Sequence, residues 1–299
     1  MQTLYSIDSI SNEIKTGEAD QILSQKIKQT QQLFNYIAFF ITQLAQYAEV
    51  DARQKASKHL PTEKDLNVSI KISGNEIVWK IIENKHFVSA VKDAKFASII
   101  AEDLLKKIYN QLVTTEEYKE YIEEQSRNKK SEKKILEFIF NQLLLPNEEF
   151  IHHLEEYFIN WDDDAEVMHT LITGYFSKPS ENIFSGLLSQ EKITFAKDLL
   201  LTVQEKQEYT LQLIKPKLNN WDADRIASLD LIILQMGICE FLYFETIPTK
   251  VTINEYIDLA KAYSTPQSGQ FVNGLLDNIH KELMSENKIH KKAYKNSTI

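Results

Sequence analysis

Between Ile226 and Phe241 the chain carries Ile226, Leu229, Ile233, Met236 and Phe241 at helical steps, in a segment that is apolar on nearly every side. A helix of this kind has no polar face to offer water, so other helices must enclose it and it belongs at the centre of a bundle. Amphipathic partners are present. From Ile22 to Val50, residues Ile27, Leu33, Phe34, Ile37, Ile41, Leu44, Tyr47 and Ala48 recur at three- and four-residue steps, the pattern of a helix burying one stripe. Phe87 to Leu112 repeats it through Val91, Phe96, Ile99, Ile100, Leu104 and Ile108. Val167 to Tyr175 and Phe195 to Leu218 supply two more helices, the second kinked or stopped by Pro216. Only 7 Gly and 6 Pro occur in 299 residues, well under the roughly 7% and 5% of ordinary proteins. The fold class is all-α, with two helical bundles.

Local signals place the helix ends. Val68, Ile70 and Ile72 alternate with polar residues, and Gly74-Asn75 admits a hairpin turn, but an isolated hairpin is marginal. An extended loop followed by a helix capped at Asn75 is the preferred reading. Ser131 is expected to cap the helix carrying Ile135, Phe138, Ile139 and Leu143. The aspartates after Trp161 and Trp221 suit helix starts, where they complement the positive end, better than a cation site, which needs converging oxygen ligands. Thr252 with Glu255 fits a capping box, and Thr265-Pro266 reads as N-cap and first position of the last helix. Gly274, inside that helix, is read as a point of close approach by another helix.

Several function classes are disfavoured. The formal net charge of −9 argues against indiscriminate binding to phosphate backbones. The basic cluster Ser126 to Lys134 reads as a solvated turn beside Glu116, Glu117 and Glu120, and the lysines after Lys288 as a disordered end. The single Cys239 lies in an apolar helical run and reads as a core residue compatible with a reducing, cytoplasmic setting. The longest apolar run, near Tyr36 to Leu44, is far short of the roughly 20 residues a membrane span needs. No phosphate-cradling glycine loop and no His-Glu-x-x-His occurs, and His152 and His153 point in different directions on a helix. No enzyme, cofactor or metal is expected.

The region Asn220 to Leu283 contains Arg225-Ile226-Ala227, Leu229-Asp230, Ile247-Pro248, Lys250-Val251, Ile253-Asn254-Glu255, Leu259-Ala260-Lys261, Ser268, Phe271-Val272-Asn273-Gly274 and Leu276-Asp277. In these residues and their spacing it resembles the C-terminal half of the NusB family of bacterial transcription antitermination factors, and Gln2 to Ser6 is similar to the end of the family's first helix motif. The resemblance implies two three-helix bundles, with residues 1–184 a divergent first bundle carrying a helical insertion, 185–287 the NusB-like bundle and 288–299 a basic tail. It implies a non-catalytic factor that binds boxA-type RNA together with NusE, a small-subunit ribosomal protein, within an RNA polymerase antitermination complex serving ribosomal RNA operons. Tyr5, Gln267, Ser268, Gln270 and Phe271 become RNA-side residues and Asp230 a NusE-facing one. Family members carry Arg where Gln235 stands, basic residues where Gln270 stands and an arginine-rich segment before the position of Met1, so an upstream arm is expected. The alternative is a helical adaptor that binds NusE or itself without RNA. Oligomeric state is left open.

Overall fold

The computed structural model describes residues 1–9, 17–218 and 227–292, and every regular element among them is a helix. The aspartates after Trp221 and residues Arg225 and Ile226 lie outside the described residues. The chain divides into two compact units, Ile27–Leu187 and Met1–Lys26 with Leu188–Ile299. Met1–Lys26 thus groups with the C-terminal residues, whereas the sequence reading placed it in the N-terminal helical region.

In the unit Ile27–Leu187, most of α2 (Glu18–Ala56) lies at the centre, followed by α3 (Glu63–Leu66), α4 (Glu76–Ile82), α5 (Lys85–Asp93), α6 (Glu102–Leu112), α7 (Glu116–Glu123), α8 (Lys129–Phe138), α9 (Glu148–Tyr157) and α10 (Trp161–Ser177). The apolar stripe read along α2 is the core: Leu33, Phe34, Ile37, Ile41 and Leu44 are all buried. Asn75 caps α4, its side chain accepting hydrogen bonds from the amides of Ile77 at 2.9 Å and Val78 at 3.4 Å, and this stretch is loop and 3-10 turn, not a hairpin. Ser131 does not cap α8. Asn128 does, three residues earlier, and the Ser131 hydroxyl instead donates to the Asn128 carbonyl at 2.9 Å. The continuous pattern from Phe87 to Leu112 is two helices, because Lys95 takes a left-handed φ of 54° and stops the first. The three aspartates after Trp161 occupy the first turn of α10, where they complement the helix dipole, and Asp164 also accepts from Asn160 Nδ2 at 2.6 Å and from the Thr30 hydroxyl at 2.7 Å.

The second unit contains α1 (Gln2–Ser9), α11 (Gln190–Glu205), α12 (Gln207–Ile214), α13 (Ser228–Tyr243), α14 (Thr249–Tyr263) and α15 (Ser268–Ser285). As its composition demands, α13 is central: from Ile232 to Phe241 every residue is buried, and α14 and α15 pack against it. Gly237 is where helices approach closely, since a Cβ there would lie 2.9 Å from Leu276 Cδ2. The helix expected from Phe195 to Leu218 is interrupted at Lys206 and ends in a 3-10 turn containing Pro216.

Two expected caps in this unit are replaced by something else. Thr252 lies inside α14, and its hydroxyl donates to Glu240 Oε1 at 2.6 Å while Tyr256 donates to Glu240 Oε2 at 2.9 Å. A buried carboxylate therefore takes the hydroxyl a capping box would have used. The last helix begins at Ser268 rather than after Thr265. The first part of the tail is also placed: Lys291 Nζ donates at 2.8 Å to the carbonyls of Glu240 and Phe244, closing the C-terminal end of α13.

Candidate functional site

Of the residues singled out by sequence, all but Tyr5 meet at the start of α15, and a buried hydrogen-bond cluster sets that start. Ser268 Oγ donates to Asp230 Oδ2 at 2.7 Å, accepts from the Thr265 amide at 3.2 Å and lies 2.8 Å from Thr265 Oγ1 and 3.0 Å from Ser264 Oγ. A hydroxyl has one proton and two lone pairs, so with its proton committed to the carboxylate it can serve only as acceptor to the turn before α15. The bond to an ionised acceptor is of the stronger class. Asp230 sits in the first turn of α13, where a negative charge also complements the helix dipole. The cluster ties the first residue of α15 to the first turn of α13.

Burial separates the predicted residues into two sets. Ser268 is 2% exposed and Asp230 6%; both point into the bundle and neither is presented to a ligand at the surface. Gln267 and Gln270 are exposed and Phe271 is half-buried. These three line one groove of about 460 Å³ with Lys217, Gly274, Leu275 and Asn278. Tyr5 is 44% exposed on α1, which packs on α13, and is not among the residues lining the groove.

Gly274 corrects one expectation. A Cβ built there meets nothing within 4 Å, so the residue is not a point of helix contact; its lack of a side chain leaves the groove floor open. Gln235 corrects another. It is 3% exposed within α13, so the charge missing relative to the family is not missing from a surface.

The groove offers a specific set of chemical groups. Phe271 packs partly against the aliphatic core and keeps part of its ring at the surface, while Gln267, Gln270 and Asn278 each bring amide donors and an acceptor. Among the described residues lining it, Lys217 is the sole cation, and it is ion-paired with Glu282. Lys217 and Asn278 were not found by sequence reasoning. A signal for Asn278 existed: Gln267, Phe271, Gly274 and Asn278 follow one another at three- and four-residue steps, so they form one stripe of α15. Lys217 carries no such signal, since it lies fifty residues upstream in the turn at Pro216.

Other chemistry-bearing residues are used structurally. Burial pushes the Cys239 thiol up to about 12, which leaves it protonated and unreactive at neutral pH. His153 is buried and hydrogen-bonded to the Tyr36 hydroxyl, and burial lowers its pKa; His152 is exposed. Among the described residues no group of three or more His, Cys, Asp or Glu is placed to hold a metal ion. No described helix is long and apolar enough to cross a membrane.

Comparison with known proteins bears on the same region. The profile of the NusB family matches residues 164–281. The transcription antitermination protein NusB of Finegoldia magna is 42% identical over 94 residues, covering 31% of this chain and 69% of that protein. That of Salinibacter ruber is 39% identical over 132 residues, covering 44% and 76%, and that of Bacillus pumilus 38% identical over 108 residues, covering 36% and 82%.

Proposed function

The chain belongs to the NusB family of transcription antitermination proteins, and from that premise we propose that it is a non-catalytic factor holding boxA-type RNA. It does so together with NusE, within an RNA polymerase antitermination complex that supports transcription of ribosomal RNA operons. One observation carries the reading: Gln267, Gln270 and Phe271 line a single groove with Gly274 and Asn278. A partly exposed ring stacks on an unpaired base, and side-chain amides read its edges. The open floor at Gly274 lets the base or its sugar come close to the helix backbone.

Tyr5 supplies a further exposed ring on α1. Ser268 and Asp230 act from inside, as positioning residues that fix where α15 begins. Asp230 serves NusE by the same means, holding the first turn of α13 in place rather than meeting the partner's charge directly.

The adaptor reading is favoured by a different observation. The chain has net charge −9, and among the described residues the one cation lining the groove, Lys217, is paired with Glu282, so little electrostatic attraction for a phosphate backbone resides there. Titration of labelled boxA-type RNA by fluorescence anisotropy, with and without NusE, separates the two. The RNA-binding account expects a complex that NusE tightens, with a shallow salt dependence of about one unit in log–log slope. NusE binding that is independent of RNA, with no RNA-dependent complex, establishes the adaptor instead.

A further inference from the structure

We propose that the groove between α2 and α5 is a docking site for an acidic amphipathic helical segment of another protein. Its volume is about 600 Å³, and it is lined by Phe39, Thr42, Ile82, Phe87, Val88 and Val91 together with Lys92 and Lys95. These residues lie outside 164–281, so the family match does not account for them.

The lining is mostly apolar, and its charged groups are arranged at the edge. Phe39, Thr42 and Phe87 are buried and form the floor, whereas Val88 is 53% exposed, more than a core valine and enough to make it an apolar contact awaiting cover. Thr42 spends its hydroxyl on the Phe39 carbonyl at 2.7 Å, and Gln43 and Gln46 bond to each other at 3.1 Å. Lys92 and Lys95 are exposed, and among the described residues neither has an ion-pair partner. Asp93, the nearest acid in sequence, accepts instead from the Ser89 hydroxyl at 3.1 Å.

Backbone conformation holds the second lysine at the edge. Lys95 has a φ of 54°, a region that penalises any residue with a Cβ and where glycine or asparagine is the usual choice. Its carbonyl accepts from the Ser98 amide at 2.9 Å and the Ser98 hydroxyl at 2.7 Å, which fixes the turn. Val88, Val91 and Lys92 share one face of α5, and Lys95 lines the groove from the turn that follows. An apolar floor bordered by unpaired ammonium groups matches apolar anchors alternating with carboxylates. Exposed walls at Val88, Gln46, Ala97 and Ser98 make this a groove open to solvent, which suits a helix that buries one face and keeps the other wet. A small amphiphile there would keep much of its surface in water.

Anisotropy titration of the full-length protein tests this with a fluorescein-labelled helical peptide carrying Leu at i, i+3, i+4 and i+7 with Glu between them, against the same peptide with Lys for Glu. The acidic peptide is expected to bind about tenfold tighter than the basic one. Lys92→Glu with Lys95→Glu should reverse that preference, and Val88→Glu, at an exposed position that leaves circular dichroism unchanged, should weaken the acidic peptide by about tenfold. No saturable binding of the acidic peptide, equal binding of both, or affinities unmoved by these variants overturns the proposal. Dodecanoate binding in the absence of peptide binding overturns it too, and assigns the groove to a small amphiphile.

Discussion

The two units differ in what fills their cores, although each holds a buried carboxylate that bridges helices; in Ile27–Leu187 it is Glu132, which accepts from the Glu76 amide at 2.7 Å and the Tyr121 hydroxyl at 3.0 Å. In Ile27–Leu187 the centre is aromatic: Tyr36 meets Phe39, Phe96, His153 and Phe158 at ring separations of 4.9 to 6.4 Å, and Phe40 meets Phe150 at 4.8 Å. In the unit formed by Met1–Lys26 and Leu188–Ile299 the core is largely aliphatic, and two buried carboxylates bridge its helices, Asp230 to Ser268 and Glu240 to Thr252 and Tyr256. Rings fill volume and contribute much burial, but they constrain direction only loosely. A hydrogen-bonded carboxylate has a fixed geometry and a high penalty for leaving its partner unmatched, so it specifies how one helix begins relative to another. In the second unit the bond from Ser268 to Asp230 fixes the start of α15, the helix that carries Gln270 and Phe271.

The largest effect that sharpens this comparison is expected from Phe150→Ala. Phe150 is fully buried, and its truncation should cost about 3–5 kcal/mol of stability while leaving RNA affinity unchanged below the unfolding transition. Chemical denaturation followed by RNA titration of the folded variant checks both halves. A loss of RNA affinity in the folded protein would break the separation between the two units' roles.

Asp230→Ala comes next, at about 1–3 kcal/mol, because it removes the carboxylate that Ser268 donates to and leaves that hydroxyl without its acceptor. In a double-mutant cycle with Ser268→Ala the two losses should be strongly non-additive. Additive losses would mean that the bond does not position α15. The smallest effect is that of Gly274→Ala. With open space around the new Cβ, the substitution should stabilise the helix by about 0.5–1 kcal/mol and still weaken RNA binding by partly filling the groove. Stabilisation without any loss of RNA affinity would remove Gly274 from the site.

What could be read from sequence follows the same division. Periodicity exposed α2 and the enclosed α13, because burial of a stripe or of a whole helix writes itself into three- and four-residue spacing. It failed at Lys95 and Lys206, where a helix stops without glycine or proline to announce it. Thr252 was misread for a reason of this kind. It looks like a local cap, and its hydroxyl is claimed by Glu240, a carboxylate on another helix that no local rule contains. Gln267, Gln270 and Phe271 could be grouped because one helix carries them. Lys217 could not, since only the tertiary fold brings the turn at Pro216 beside α15.

The central claim is that the start of α15 forms an RNA-reading groove with Phe271 as its stacking platform, and Phe271→Ala tests it most directly when RNA affinity and thermal stability are measured on the same protein. The account predicts a loss of about 1–3 kcal/mol in boxA RNA binding, the usual worth of one base–aromatic stack, with little change in stability. Unchanged RNA affinity, accompanied by a loss of about 3–5 kcal/mol in folding stability as for a core phenylalanine, would contradict it.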